Sequence, residues 1–462
     1  MSKDMSYDAV MSRKTEIVKN SAGIDFDQFE SGSVAFDYER MLKSTGYDFD
    51  SIRRIQREVG VGNTPMLELR NLTALARKIA GPGKGARIFV KDEACNPSGS
   101  FKDRRAAMAA YHAKKAGYPG VLAATSGNFG AAVASQAAMR GLKCIIVQET
   151  YDSRKVGQPE IIEKARKCEA YGAEVVQTTV GPELFYQSLR LLEETGYFSA
   201  SLYSPFGIIG VETLGVEVSE QIMALTGKQP DAVVITNAGG GNVTGTARGL
   251  RLAGCKAKVI GASVNLKGLH MASDTAFNKK SFTTGHTGFG IPFVTNPDRS
   301  DVPRSAARPL RYLDRYVTVN QGEVFYMTEL MATLEGMERG PAGNTSLAAA
   351  FAIAQEMNED QIIVVQETEY TGAGKHVQPQ LSFARDNGID IRFGNPADEV
   401  PGENIILPES PAKLRVDDLD LDHMRKSFIA NAIAEIKELT DEDIEYLAAE
   451  TGSNTDFVKK HI

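Results

Sequence analysis

A single lysine stands where a loop becomes a helix in the stretch "NPSGSFKDRRAAMAAYHAKKAG", residues 96–117. Lys102 follows Gly-Ser-Phe and precedes an alanine-rich segment, which predicts a helix closed by Gly117. A lysine in the first turn lies against the positive end of the helix dipole, which lowers the pKa of its amine. Such an amine is suited to form a Schiff base. The alternative is a solvent-exposed lysine at an ordinary helix start, and this stretch alone does not decide between them.

A second loop, "ATSGNFGAA" at residues 124–132, has polar groups at the start of the next predicted helix. Thr125 and Ser126 supply hydroxyls, Asn128 supplies an amide, and the backbone supplies N–H groups. Such a cluster at a helix N-terminus suits a carboxylate or another anion. An elaborate helix cap is the structural alternative.

Two more loops follow predicted strands. In "TNAGGGNVTGTARG", residues 236–249, consecutive glycines leave backbone N–H groups accessible to a phosphate, with a helix start behind them. The pattern is neither a P-loop nor GxGxxG, and a flexible turn is the alternative. In "VVQETEYTGAGKH" a strand ends in Thr368 and Thr371, either of which suits one hydrogen bond to a ring nitrogen. A lysine, an anion loop, a phosphate loop and a terminal hydroxyl, in this order, describe a pyridoxal phosphate site.

Strands and helices alternate from about residue 86 onward, as in "RIFVKDE", the helix after Lys102, "GVLAATS", "KCIIVQE", "DAVVITN" and "QIIVVQET". This order predicts an α/β fold with mostly parallel sheets covered by helices on both faces. Ligands in such sheets bind at the carboxyl ends of the strands, where all four loops lie. The first 60 residues and the region from residue 396 predict helical additions to this body.

Composition excludes several classes of protein. The 462 residues have 52 basic and 59 acidic side chains, a net charge of −7, and no basic block, which argues against nucleic acid or an anionic membrane as partner. No apolar run reaches the roughly 18 residues that span a bilayer, and the first 20 residues lack the apolar core of a signal peptide. The four cysteines have no CxxC spacing. We therefore expect reduced thiols in a cytoplasmic protein without a metal site, with Cys95 as a small buried residue.

Three of these loops and a further stretch at residues 285–293 resemble motifs of the tryptophan-synthase-beta-like family of pyridoxal-phosphate enzymes, called fold type II. "NPSGSFKDR" is similar to the lysine motif of its threonine synthase branch, "TSGNFG" to the asparagine loop, "AGGGNVTG" to the phosphate loop and "GHTGFGIPF" to a loop along the cofactor edge. The similarity covers roughly residues 60–375. It implies two open, twisted, mostly parallel sheets flanked by helices, with pyridoxal 5′-phosphate in the cleft between two domains.

The resemblance also implies a role for each motif residue. Lys102 forms the Schiff base, Asn128 bonds the 3′-oxygen of the cofactor, and the phosphate is held by Gly239, Gly240, Gly241 and Asn242. Thr368, or alternatively Thr371, faces the pyridine nitrogen. The implied substrate-binding residues are Thr125, Ser126, Gly127, Phe129 and Gly288.

Over its whole length the chain is similar to the larger subunits of pyridoxal-phosphate-dependent thiolases of ornithine breakdown. This likeness implies cleavage of 2-amino-4-oxopentanoate with coenzyme A to acetyl-CoA and alanine, the D isomer, together with a small alpha subunit. It implies a homodimer or higher assembly of this chain. The domains expected are an arm (1–60), a large cofactor-binding domain (61–102 and 215–395), a small α/β domain (103–214) and a helical appendage (396–462).

The motifs leave alternatives open. Threonine synthase acting on O-phosphohomoserine is the nearest, followed by cysteate synthase or another β- or γ-replacement enzyme, and a non-enzymatic scaffold that binds the cofactor. Five arginines between Arg299 and Arg315 predict either a mouth for the phosphates of coenzyme A or a salt-bridged surface. "GNTS", which contains Asn344, either lines the cleft or caps a helix.

Overall fold

The fold is described from a computed structural model, and the structure describes residues 3–125, 127–151, 155–179, 183–266, 302–370 and 377–462. The strands, in chain order, are β1 Met66–Glu68, β2 Arg87–Asp92, β3 Gly120–Thr125, β4 Lys143–Tyr151, β5 Glu174–Thr179, β6 Phe198–Ser199, β7 Ala232–Thr236, β8 Lys258–Val264, β9 Arg315–Val319, β10 Ile362–Glu367, β11 Asp390–Gly394, β12 Asn404–Pro408 and β13 Asp417–Asp418. The helices are α1 Tyr7–Ser12, α2 Lys14–Ala22, α3 Tyr38–Ser44, α4 Phe49–Arg57, α5 Arg70–Ile79, α6 Asp103–Lys115, α7 Asn128–Arg140, α8 Pro159–Ala170, α9 Glu183–Thr195, α10 Pro205–Thr226, α11 Gly241–Leu252, α12 Gln321–Glu335, α13 Pro341–Glu356, α14 Val377–Asp386, α15 Leu421–Ile433, α16 Asp441–Thr451 and α17 Thr455–His461.

Two larger sheets and one pair of strands carry the fold. The seven-stranded sheet has the order β1-β2-β10-β7-β8-β9-β13, and the four-stranded sheet has the order β5-β4-β3-β6. All neighbours are parallel except β1 and β13, which pair antiparallel at the two edges of the larger sheet. The third sheet pairs β11 with β12. The two mostly parallel sheets flanked by helices are the α/β architecture that the alternating sequence pattern predicts.

The central strands of the large sheet are buried on both faces. In β10, Ile362 and Val364 join the hydrophobic cluster on one face, whereas Ile363 and Val365 join the cluster on the other. A strand covered on both faces needs an unbroken apolar run, because no position along it faces water. The apolar run of β10 ends at Val365, and the strand continues through the buried polar residues Gln366 and Glu367 toward the loops of interest.

Helix α10 supports the helices that carry the lysine and the glycine loop. A Cβ atom at Gly210 would lie 2.2 Å from the Arg104 carbonyl oxygen in α6, and one at Gly215 would lie 2.1 Å from the Thr246 carbonyl oxygen in α11. Only glycine permits backbones to approach this closely. Sequence alternation did not single out α10, although it holds α6 and α11 in place.

The C-terminal region is divided more finely than its helical pattern predicts. The predicted helical stretch from Asp422 to Gly452 forms two helices, because Thr440 and Asp443 make a reciprocal capping box that starts α16. Strand β13 joins the large sheet beside β9. Asp443 also accepts hydrogen bonds from the backbone N–H groups of Val34 and Ala35 at 2.8 and 2.9 Å, which ties this region to the N-terminal arm. Within the described ranges, no helix is long and apolar enough to cross a membrane.

Candidate active site

The loop before Lys102 is fastened to the end of strand β10. The Phe101 N–H donates to the Thr368 carbonyl at 3.1 Å, and the Tyr370 N–H donates to the Gly99 carbonyl at 2.8 Å. Gly99 has a φ of +81°, a backbone conformation that glycine adopts without strain. These contacts bring the lysine motif and Thr368 together, as the order of motifs predicts.

The buried side chain of Asp103 stabilises the loop before Lys102 by hydrogen bonds. Its Oδ2 accepts a 2.6 Å hydrogen bond from the Ser98 N–H, and its Oδ1 accepts a 3.3 Å hydrogen bond from the Gln136 side chain in α7. The carboxyl group is fully buried, and this burial raises its pKa to about 7. Asp103 thus closes the loop just ahead of Lys102 and links α6 with α7.

Lys102 occupies the N-cap position of α6, as the sequence predicts. Its side chain is partly buried, and its Nζ lies 4.7 Å from the centre of the Phe101 ring. Loss of hydration lowers the pKa of the amine to about 8, while the carboxylate of Glu369 acts in the opposite direction and the charge of Arg105 adds to the lowering. At this pKa roughly a tenth of the amine is neutral, and so nucleophilic, at pH 7, far more than for a lysine of ordinary pKa.

A buried ion network lies beneath the first turn of α6. The Arg104 guanidinium binds Glu93 at 2.7 and 2.8 Å and Glu217 at 2.9 and 2.7 Å. Lys91 adds a 2.7 Å contact to Glu217. Burial opposes the charge on Arg104, but the two carboxylates outweigh it and raise the pKa of the guanidinium. Because Arg104 is two residues from Lys102, the network fixes the helix turn that presents the lysine.

The glycine loop connects β7 to α11. Gly240 has a φ of +82°, and a Cβ atom there would lie 2.5 Å from the side chain of Pro309. Helix α11 begins at Gly241, so its first N–H groups point out of the helix start. The Asn242 side chain accepts a 2.9 Å hydrogen bond from Gln366 in β10 and donates to the Thr236 carbonyl at 3.4 Å. These contacts fix the loop at the carboxyl ends of β7 and β10.

The turn after β3 is organised by a threonine. The Thr125 hydroxyl accepts hydrogen bonds from the N–H groups of Gly127 at 2.9 Å and Gly130 at 3.3 Å, and α7 starts at Asn128. The Phe129 ring is 2% exposed and packs in the core of the smaller sheet. The ring of Phe129 is therefore not placed to contact a substrate, whereas its backbone is.

Three charged side chains beside this turn were not identified from the sequence. Lys164 in α8 forms ion pairs with Glu160 and, at 3.7 Å, with Glu369. Its side chain lies 2.7 Å from the position that a Cβ atom on Gly127 would take. Glu369 is fully buried, and neither carboxylate oxygen has a hydrogen-bond partner in the described part of the chain. The only signal in the sequence was the position of Glu369 next to Thr368.

Several other predictions concern residues around the site. Ser126, Thr371, Gly288 and Arg299 lie outside the described residues. The side chains of Asn344, Thr345 and Ser346 bond to backbone carbonyls near the start of α13, so they serve the helix start rather than an open cleft. The remaining arginines of the cluster are in ion pairs, which favours the salt-bridged alternative: Arg304, Arg308, Arg311 and Arg315.

The expectation that Cys95 is buried was wrong. Its side chain is exposed at the end of the short helical turn Glu93–Cys95, although Glu93 at the start of that turn is buried. Its pKa is nevertheless raised to about 11 by loss of hydration and by the neighbouring Asp92, so the thiol stays protonated at neutral pH. The four cysteines are free thiols, as expected.

Residues 58–369 match the profile of a family described as pyridoxal-phosphate dependent enzyme, and the chain belongs to that family. Its fold is also that of a solved O-ureido-L-serine synthase, with a TM-score of 0.51 and 22% identity over 69% of this chain and 91% of the other. These findings confirm the fold type II class and the cofactor.

Among curated relatives, the chain is 71% identical to the 2-amino-4-ketopentanoate thiolase beta subunit of Acetoanaerobium sticklandii, over 100% of this chain and 99% of the relative. A threonine synthase of Synechocystis is 29% identical over 62% of this chain and 70% of its own length. The likeness to the thiolase subunit therefore includes the N-terminal arm and the C-terminal helices, whereas the likeness to threonine synthase covers a smaller part of the chain.

The geometry fits pyridoxal phosphate. An aldehyde needs an amine of lowered pKa, and Lys102 has one. A phosphate needs N–H donors without side chains in front of them, and the glycines that open α11 expose such donors. Three buried polar atoms close to Lys102 in the chain have no hydrogen-bond partner among the described residues: the hydroxyls of Ser98 and Ser100 and the Nε of Arg105. Such atoms are costly unless a ligand satisfies them.

Proposed function

We propose that this chain, with a small alpha subunit, cleaves 2-amino-4-oxopentanoate with coenzyme A to give acetyl-CoA and alanine. The observation that carries the proposal is the 71% identity with the thiolase beta subunit, which extends through the arm and appendage that flank the family domain. Pyridoxal phosphate, when bound, supplies an electron sink conjugated with the amino group of the substrate.

The chain's own residues position the reactants. Lys102 would hold the cofactor through its amine, and as a free amine it would be the base for the proton on the α-carbon, because a pKa of about 8 lets it both take and return a proton. Thr125 and the N–H groups at the N-terminus of α7 would bind the substrate carboxylate, and Asn128 would bond the 3′-oxygen of the cofactor. Gly239 to Asn242 would hold the phosphate, and Thr368 would supply a hydrogen bond to the pyridine nitrogen.

The overall reaction balances without an oxidant or reductant. The C3–C4 bond of the substrate breaks, and a bond forms between C4 and the sulfur of coenzyme A. The thiol proton ends on C3, which becomes the methyl group of alanine. The division into domains, the homodimer and the D configuration of the product stay predictions.

The test is acetyl-CoA formation from 2-amino-4-oxopentanoate and coenzyme A, with and without the small subunit, beside phosphate release from O-phosphohomoserine. We expect acetyl-CoA with the subunit present, its loss in Lys102→Ala, and normal activity in Lys115→Ala, which removes an exposed lysine at the other end of α6. Phosphate release without acetyl-CoA would replace the proposal by threonine synthase. Formation of neither acetyl-CoA nor phosphate in the presence of the small subunit would also contradict the proposal.

A further inference from the structure

Arg105 is a buried cation without a counter-charge in the part of the chain that the structure describes. It is 5% exposed, and its Nη1 donates one long hydrogen bond, 3.3 Å, to the Leu202 carbonyl. Its Nε is buried and has no acceptor among the described residues. Burial lowers the pKa of the guanidinium to about 10, a shift that the hydroxyl of Tyr203 only partly offsets. Burying a charge in this way is costly unless an anion binds beside it.

The guanidinium lies against the start of α11. A Cβ atom on Gly241 would be 2.7 Å from Nη2 and 3.1 Å from Cζ of Arg105. Gly241 is therefore the residue that lets the arginine reach the N-terminus of this 12-residue helix. The unpaired N–H groups of the helix start and the guanidinium meet there, and both favour an anion.

Arg105 also faces the same space as the Schiff-base lysine. Lys102, the N-cap residue of α6, and Arg105 in its first turn are three residues apart, which places them on one side of the helix. The two charged groups flank the Phe101 ring, at 4.7 and 5.2 Å from its centre. A ligand bound to the amine of Lys102 and to the glycine loop thus passes beside Arg105.

We propose that Arg105 binds the phosphate group of pyridoxal phosphate, together with the N–H groups of the Gly239–Gly241 loop. The phosphate dianion is the counter-charge that the described protein residues do not provide, and hydrogen bonds between two charged groups are stronger than those between neutral ones. The proposal rests on the cofactor of the family and not on the thiolase reaction, so either can fail without the other.

The test compares two ligands that differ only in the phosphate. Apoenzyme of the parent chain and of Arg105→Gln is titrated with pyridoxal phosphate and with pyridoxal, and binding is followed by absorbance. We expect Arg105→Gln to raise the Kd for pyridoxal phosphate about 10- to 100-fold, since it removes a charged hydrogen bond. The Kd for pyridoxal should change less than about threefold, because one neutral contact at most is altered. Inorganic phosphate should compete with the cofactor less well in the variant than in the parent.

Two further variants keep the test decisive. Arg140→Gln is the matched control, because Arg140 is a partly buried arginine at the far end of α7 whose Nη2 donates to the Ile55 carbonyl at 3.3 Å. This variant should leave both Kd values unchanged. Arg105→Lys keeps the charge and should lose only part of the affinity for pyridoxal phosphate, and it carries the comparison if the glutamine variant does not fold. Equal weakening of both ligands, or of neither, overturns the proposal.

Discussion

Removing the charge of Glu217 should destabilise the fold far more than removing the charge of an exposed glutamate on the same helix. Glu217 is 5% exposed and joins Arg104, Lys91 and Glu93 in a network whose four charges sum to zero. Glu217→Gln keeps the shape and leaves one positive charge unbalanced in the interior. Breaking a buried ion pair from one side costs roughly 3–5 kcal/mol.

The expected change can be converted to a melting temperature. With about 2 cal/mol/K per residue, the unfolding entropy of 462 residues is about 1 kcal/mol/K, so the variant should melt about 3–5 °C lower. The matched control is Glu220→Gln on the same helix, because Glu220 pairs with Arg53 and its side chain is 51% exposed. An exposed pair contributes at most about 1 kcal/mol, which is about 1 °C here. Equal losses in both variants, in thermal melts at pH 7.5, would refute the reasoning.

The same variant has a pH signature. Burial raises the pKa of Glu217, but Arg104 and Lys91 outweigh burial and hold it well below its usual range. A lowered folded-state pKa contributes stability that is complete above the unfolded value, about 4.3, and declines as the pH falls below it. The difference in melting temperature between parent and Glu217→Gln should therefore be constant from about pH 6 to 8 and shrink below about pH 4.5. A difference that grows on acidification would show that Glu217 is not the charged partner of Arg104.

Two further predictions concern the site and the C-terminal region. Glu369→Gln should move the pKa of Lys102 below 8, because the carboxylate of Glu369 raises this pKa in the parent protein. The midpoint of the pH–rate profile for capture of pyridoxal phosphate by the apoenzyme reports the shift. An unchanged or higher midpoint would contradict the prediction. Asp443→Asn should weaken the hydrogen bonds from the N–H groups of Val34 and Ala35 and cost about 1–3 kcal/mol, seen as faster proteolysis before α16. That deficit should fade below about pH 4, because these N–H groups and the Thr440 cap outweigh burial and lower the pKa of Asp443.

Local patterns predicted the parts of this molecule that depend on local physics. The apolar run of β10 and the alanine-rich run of α6 form the predicted strand and helix. Both elements are buried over most of their length, and such burial is visible in the types of consecutive residues. The loops around Lys102 and Gly240 were found because a helix start and a left-handed glycine have short signatures. Strand β13 was missed, since two exposed aspartates carry no strand pattern and pair only because β9 lies beside them.

Contacts between distant residues could not be predicted in this way. Arg104 and Glu217 are 113 positions apart, and their pairing depends on the glycine contact that brings α10 against α6. Phe129 lies in a motif that binds ligands in the family, yet its ring is in the core. Glu369 follows Thr368 directly, and only the fold places its carboxylate near Lys102 and Lys164. A motif thus identifies a loop, whereas packing decides which side chains of the loop face the site.

Arg104 and Arg105 show this difference most directly, because they are the same residue type in one helix turn. Both are buried, but Arg104 has two carboxylates and its pKa is raised, whereas no carboxylate of the described chain pairs with Arg105 and its pKa is lowered to about 10. An arginine whose charge is balanced within the protein contributes to folding before any ligand arrives. An arginine whose charge is not balanced gains its counter-ion only when a ligand binds. Until then, the free-energy cost of the buried charge lowers the stability of the fold. The same reasoning predicts that loss of Arg104 lowers the stability of apoenzyme and holoenzyme alike, whereas loss of Arg105 acts chiefly on the holoenzyme.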